Sequence, residues 1–447
     1  MSIIGLIIVL LFNVYFAANF KNDIKFLKSL MTICIIQNIV VLFFSSALSR
    51  IDYNIIIASK EFWLYFYIIF RHPKNNFRRS DELICIVSIA ILILYLILGS
   101  ATGNQSFQAA IVSYRQLSLP FLFYLLGKKV WIKNEKDIRN LLSHFKLLMF
   151  LTCVFGFVEL AYGEAFWEML GISDYTQLKN GIMQIINGHY SYGGLYTYDF
   201  YPILGKMIRR MGSLLVDAVI LGQLLSVAVI VELFIGKRLS NKKNHVVLLL
   251  LFSASLVFTF AKGGYIIAAL TTGLLLRKQK NHKILGYVSI LLMIVGVCIL
   301  ILYSIQNELS TVSHVNGLLD GIKGIIHHPF GTGLGSAGNL AQEYGNKDIM
   351  TSGESFVGAL LGQIGIIGII IYFVFFYEVL KKRTKTYYLT VFRNITISLL
   401  ATSFVNNTAI SFTSCFIIFI MMGALIKYNN SIGVKSQVVV SKTTGKY

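Results

Sequence analysis

Of the 447 residues, 56% are hydrophobic and only 13% are charged, about half the charged share of an ordinary soluble domain. That balance makes lipid the main solvent of the chain and excludes a soluble globular protein. The net charge of +20 would suit a nucleic-acid partner, but the basic residues are distributed loop by loop rather than gathered in a patch, so no nucleic acid is expected.

Apolar runs near the ~20 residues that cross ~30 Å of hydrocarbon recur along the whole chain. They predict helices near 3–19, 29–48, 53–70, 83–99, 109–127, 140–161, 213–235, 245–260, 264–276, 284–305, 356–380, 389–405 and 409–427. The expected fold is an all-α polytopic membrane protein of about thirteen (12–14) transmembrane helices, a single integral membrane domain over 1–447. Taking every second connection, 29 of the 40 Lys and Arg residues fall in the same set of loops, which the positive-inside rule assigns to the cytoplasm. The amino terminus is then outside and the carboxyl terminus inside. The first apolar segment has no basic residue before it and Lys21, Lys25 and Lys28 after it, the pattern of a retained helix rather than a cleaved signal. Two connections are long, 162–212 and 306–355, and both fall on the extracytoplasmic side; long ordered loops are where function is sought. Cys34, Cys85, Cys153, Cys298 and Cys415 each belong to a different helix with no metal-ligand spacing, so neither disulfides nor a zinc site is expected.

Within this frame the charged residues that fall inside apolar segments are candidates for function. Lys60-Glu61 in the third helix reads best as a mutual pair, and Arg115 in the fifth either lines a cavity or is structural. Residues 189–201, rich in tyrosine and including Tyr192, Tyr196 and Tyr198, are either sugar-stacking rings or an interfacial aromatic belt. The run Lys206-Met207-Ile208-Arg209-Arg210-Met211-Gly212-Ser213 places three cations before a helix expected to start near Ser213, a candidate phosphate site; lipid headgroups are the alternative partner. Residues 246–276 leave and re-enter the basic side within two short arms, so the turn Phe260-Ala261-Lys262-Gly263-Gly264 is expected below the outer surface, holding Lys262 within the membrane unless it snorkels. Lys146 and Glu232, near the cytoplasmic side, are expected to snorkel. The glycine-rich stretch 324–335 permits close backbone approach to a ligand. His327 and His328 are candidate bases, and Glu354 is either a proton acceptor or a cap on the helix that follows.

Four of these segments, in this order and topology, resemble the O-antigen ligase and polymerase superfamily of bacterial envelopes. They are Arg210-Met-Gly-Ser-Leu-Leu-Val-Asp, Phe260-Ala-Lys-Gly-Gly-Tyr, His328-Pro-Phe-Gly-Thr-Gly-Leu-Gly, and Glu354-Ser-Phe followed by Gly362-Gln-Ile-Gly-Ile-Ile-Gly. They span residues 206 to 372; before residue 200 only hydropathy matches. Two positions depart from the family pattern, with Lys262 where arginine is usual and Glu354 where histidine is common, and the second favours polymerase over ligase. The resemblance implies a GT-C-like glycosyltransferase in the bacterial cytoplasmic membrane, with its active site on the outer face. It would polymerise undecaprenyl-diphosphate-linked repeat units into O-antigen or capsule by inverting, metal-independent transfer without a cofactor, and a chain-length regulator is a candidate partner. Arg210 and Lys262, assisted by Arg209 and Arg115, would hold the diphosphate. Glu354 would be the base, with His328 second. Two alternatives stay open: ligase-type transfer to a lipid or protein, and, from another class, a lipid-linked oligosaccharide flippase.

Overall fold

The computed structural model describes residues 1–71, 80–101, 106–180, 185–186, 189–190, 194–239, 241–306, 310–338 and 354–444. It is an all-α polytopic membrane protein. Helices stand at all thirteen expected places: α1 (Ile3–Asn19), α2 (Asp23–Phe43), α3 (Arg50–Phe70), α4 (Ser80–Ala101), α5 (Phe107–Lys129) and α6 (Glu135–Tyr162) before the first long loop. That loop carries three short helices, α7 (Glu164–Met169), α8 (Ile172–Asn180) and α9 (Tyr201–Leu204). Then come α10 (Ala218–Ile235), α11 (Lys242–Thr259), α12 (Lys262–Arg277) and α13 (Lys283–Gln306). The second loop carries α14 (Ser310–His327), and α15 (Phe356–Leu380), α16 (Tyr387–Ser403) and α17 (Phe412–Thr444) complete the chain. Among the described residues nine of these helices are long and apolar enough to cross a membrane. Of the other four, α1, α12 and α16 are short of 18 residues, and α3 is interrupted by Asp52, Lys60 and Glu61.

Two boundaries move from expectation because polar side chains set them. Asn22 caps α2 by accepting from the amides of Ile24 and Lys25, which starts that helix six residues before the expected position 29. Asp217 does the same for Val219 and Ile220, so α10 begins at Ala218 and Ser213 lies in a separate 3₁₀ turn.

The centre of the bundle is the pair α5 and α17. A Cβ on Gly127 would strike the Ile420 carbonyl and one on Gly423 the Tyr124 carbonyl, so the two backbones meet across small residues, the means by which membrane helices gain contact where lipid supplies no hydrophobic drive. Around this pair, α10, α12 and α16 form one side and α14 with α15 another. The glycine-rich segment after α14 docks on α15 where that helix breaks, at Gly365 with φ 62°. Thr332 and Gly333 donate to the carbonyls of Gly362 and Gln363 at 2.9 and 3.0 Å, and the Ile366 amide donates to the Pro329 carbonyl at 2.9 Å. Here the close approach that glycine permits is to another stretch of this chain.

Three sequence expectations about charge are corrected. Lys60 and Glu61 do not pair with each other: Lys60, buried, donates to Gln37 Oε1, while Glu61 accepts from Arg115 Nε at 2.7 Å. Successive residues on a helix point about 100° apart, so each finds a partner on a different neighbour. Lys146 and Glu232 do not snorkel; both are buried and face each other at 2.6 Å, with His245 Nδ1 at 2.9 Å from the other Glu232 oxygen. Nor does Glu354 cap α15, because Ser355 Oγ accepts from the Gly358 amide at 3.0 Å.

Candidate functional site

At the bundle end opposite the basic loops, a cavity of about 310 Å³ is lined by residues from stretches far apart in the chain. The first long loop gives Asp199 and Arg210, the α11–α12 turn gives Phe260 to Gly263, and α14 gives His314. Glu354 precedes α15, and Asn406 to Thr408 lie between α16 and α17. The opposite wall is apolar, with Val297, Leu300 and Ile301 of α13.

The turn is held open by its neighbours. Phe260 sits at φ 48°, a strained setting for a bulky side chain, and the segment leading to Arg210 is laid along it. The Met211 amide donates to the Phe258 carbonyl at 2.9 Å, and Arg210 Nε donates to the Thr259 carbonyl at 2.8 Å. With 16 residues, α12 rises only ~24 Å, less than the ~30 Å of a hydrocarbon core. At its start Lys262 Nζ lies 2.8 Å from Asp199 Oδ1, and Asp199 is fixed by Thr197 Oγ1 at 2.8 Å. Burial draws the Arg210 guanidinium below its ordinary value, and the carboxylates of Asp217 and Asp199 oppose that.

The phosphate site expected at a helix amino terminus near Ser213 is not available in that form. The Gly212 and Ser213 amides donate to the two oxygens of Glu159 at 3.0 and 2.6 Å, and those at the start of α10 are taken by Asp217. The cationic side chains in the cavity lining are Arg210 and Lys262.

Glu354 is gripped from both sides of its residue. Its carbonyl accepts from the Asn407 amide at 2.8 Å and from His314 Nδ1 at 3.0 Å, while its carboxylate Oε2 lies 3.1 Å from His314 Nε2. A carbonyl can only accept, which fixes the proton on Nδ1. The other ring nitrogen, Nε2, is thereby turned toward the carboxylate.

Arg210, Lys262 and Glu354 are thus brought together. Arg209 is not in the lining: it donates to the Glu159 carbonyl at 3.2 Å and pairs in a short antiparallel ladder with Tyr196. Arg115 is engaged by Glu61, away from the lining. His328 is exposed beyond the end of α14 and also outside it. The histidine in the lining is instead His314, near the start of α14. Tyr198 is exposed and stacks on Tyr201 at 4.7 Å, Tyr196 is half-buried, and Tyr192 lies outside the described residues. Sequence reasoning missed Asp199, His314, Asn406 and Asn407. Only the Asn-Asn pair leaves a signal, a polar break between two apolar segments.

Comparison with protein-family models, with curated proteins and with solved structures finds no match to this chain.

Proposed function

We propose that this chain is a membrane glycosyltransferase that polymerises undecaprenyl-diphosphate-linked oligosaccharide repeat units at the outer face of a bacterial cytoplasmic membrane, with a GT-C-like fold. The observation that carries the reading is the convergence on one cavity of two cations, a carboxylate in contact with a histidine, and an apolar wall. A lipid diphosphate asks for this combination, with cations for its oxygens and an apolar surface for its chain. In the reaction an acceptor hydroxyl attacks the anomeric carbon as the bond to the diphosphate oxygen breaks. The hydroxyl proton passes to Glu354, and the bonding electrons leave with the diphosphate, whose growing charge Arg210 and Lys262 offset. One displacement inverts the anomeric carbon. Asp199 holds Lys262 in place until the diphosphate competes for it.

The test is conversion of a purified lipid-diphosphate-linked repeat unit by the reconstituted full chain, with a metal chelator present. Wild type is expected to give a ladder of longer lipid-linked glycans. Arg210→Ala should lose about 10²–10³-fold in rate, the scale of one preorganised charge-stabilising donor. Glu354→Gln should lose about 10²–10⁴-fold, the scale of a general base. Movement of the substrate across the bilayer without elongation would overturn the reading in favour of a flippase.

A further inference from the structure

A second cavity, of about 420 Å³, opens at the basic end of the bundle, where the α1–α2 turn, the end of α3 and the α5–α6 connection converge. Five cations line it, Lys21, Lys25, Lys28, Arg71 and Lys133, against two carboxylates, Asp23 and Asp137. Both carboxylates are already occupied. Asp23 lies 2.7 Å from Arg71 and accepts from the Trp131 amide at 2.8 Å, while Asp137 accepts from the Lys133 amide at 2.9 Å. Lys28 reaches only a neutral oxygen, Asn140 Oδ1 at 2.6 Å. Among the described residues Arg71 is the one cation of the five with an ion pair. The other four ammonium groups line the hollow outside ion-pair distance of its carboxylates.

The positive-inside rule accounts for basic residues in these loops, but it counts charges and does not ask that three loops, remote in sequence, aim theirs at one hollow. Like charges gathered in a concavity repel, and an anion seated among them turns that cost into attraction. The position of the hollow selects the anion. It sits at the ends of α2, α3 and α6, beside the Trp131 ring, over which Lys427 lies at 5.4 Å, and tryptophan is a residue of the membrane interface. If this end faces the cytoplasm, as the loop charges indicate, the adjoining leaflet is the one that carries anionic lipid. We propose that this cavity binds the phosphate of an anionic phospholipid headgroup. The inference stands apart from the glycosyl-transfer reading, which concerns the other end of the bundle.

The full chain in neutral detergent would be titrated with short-chain phosphatidylglycerol, with short-chain phosphatidylcholine and with inorganic phosphate, following bound lipid by native mass spectrometry and occupancy by tryptophan fluorescence. Saturable binding of phosphatidylglycerol alone is expected. Lys21→Gln/Lys25→Gln/Lys133→Gln, three exposed positions, should weaken it about a hundredfold, from ~1 kcal/mol per basic residue at a charged leaflet. A matched variant at the same end, Lys237→Gln/Lys242→Gln/Lys243→Gln, should leave it unchanged. Equal loss in both variants would reduce the effect to general basic charge and overturn the proposal. So would saturation by inorganic phosphate with no preference for the lipid, which would make this a soluble-anion site.

Discussion

His314 and Glu354 form a unit in which each residue limits what the other can do. The imidazole is oriented by the backbone carbonyl of the residue whose carboxylate it faces, so a shift of α14 moves both contacts together. Removing the imidazole takes away the group that the Glu354 carboxylate faces, while Arg210 and Lys262 keep their own contacts. His314→Ala is therefore expected to lower kcat by about 10²-fold, the lower range for acid–base assistance, with KM for the lipid-linked donor little changed. Initial rates against donor concentration decide it. A raised KM at constant kcat would mark His314 as a ground-state binding residue instead. Asp199 sets the complementary constraint on the cation side, since it neutralises Lys262 at 2.8 Å when nothing else does.

At the scale of elements, the cavity depends on how closely α10 and α12 approach below the Phe260 turn. Gly222 of α10 faces the turn: a Cβ there would collide with the Ala261 methyl and come within 2.8 Å of Thr259 Oγ1. A Cβ on Gly264 would meet the Gly222 carbonyl in return. Thr259 is the residue whose carbonyl holds Arg210, so this small-residue contact carries through to the Arg210 guanidinium. Gly222→Val should destabilise the fold by about 1–3 kcal/mol, the usual cost of overpacking, seen as a lower midpoint of thermal unfolding in detergent. It should also depress activity more than stability. An unchanged midpoint would show that α10 and α12 can part without cost, and the glycine argument would fail.

Across the whole molecule, what was legible in the sequence was what length and apolarity alone decide: thirteen helix positions, the two long loops, and the short arms around Lys262. What stayed hidden was pairing, because a one-dimensional pattern does not say which helix faces which. The approach of His314 to Glu354 joins residues 40 apart, and that of Asp199 to Lys262 joins residues 63 apart. The cluster of Lys146, Glu232 and His245 is the clearest instance. Lys146 and Glu232 each read as a side chain reaching for headgroups, yet with His245 they are buried between α6, α10 and α11, further along the helix that carries the Gly222 contact. Breaking such a pair is costly because a charge is left buried, whereas replacing both members with apolar residues removes the charge and the cost together. Glu232→Ala takes away the carboxylate facing the Lys146 ammonium and should destabilise the fold by about 3–5 kcal/mol. Lys146→Met combined with Glu232→Leu should recover most of that loss. Thermal unfolding of the two variants beside wild type makes the comparison. If the double variant melts as low as the single one, the cluster matters through its shape rather than its charge.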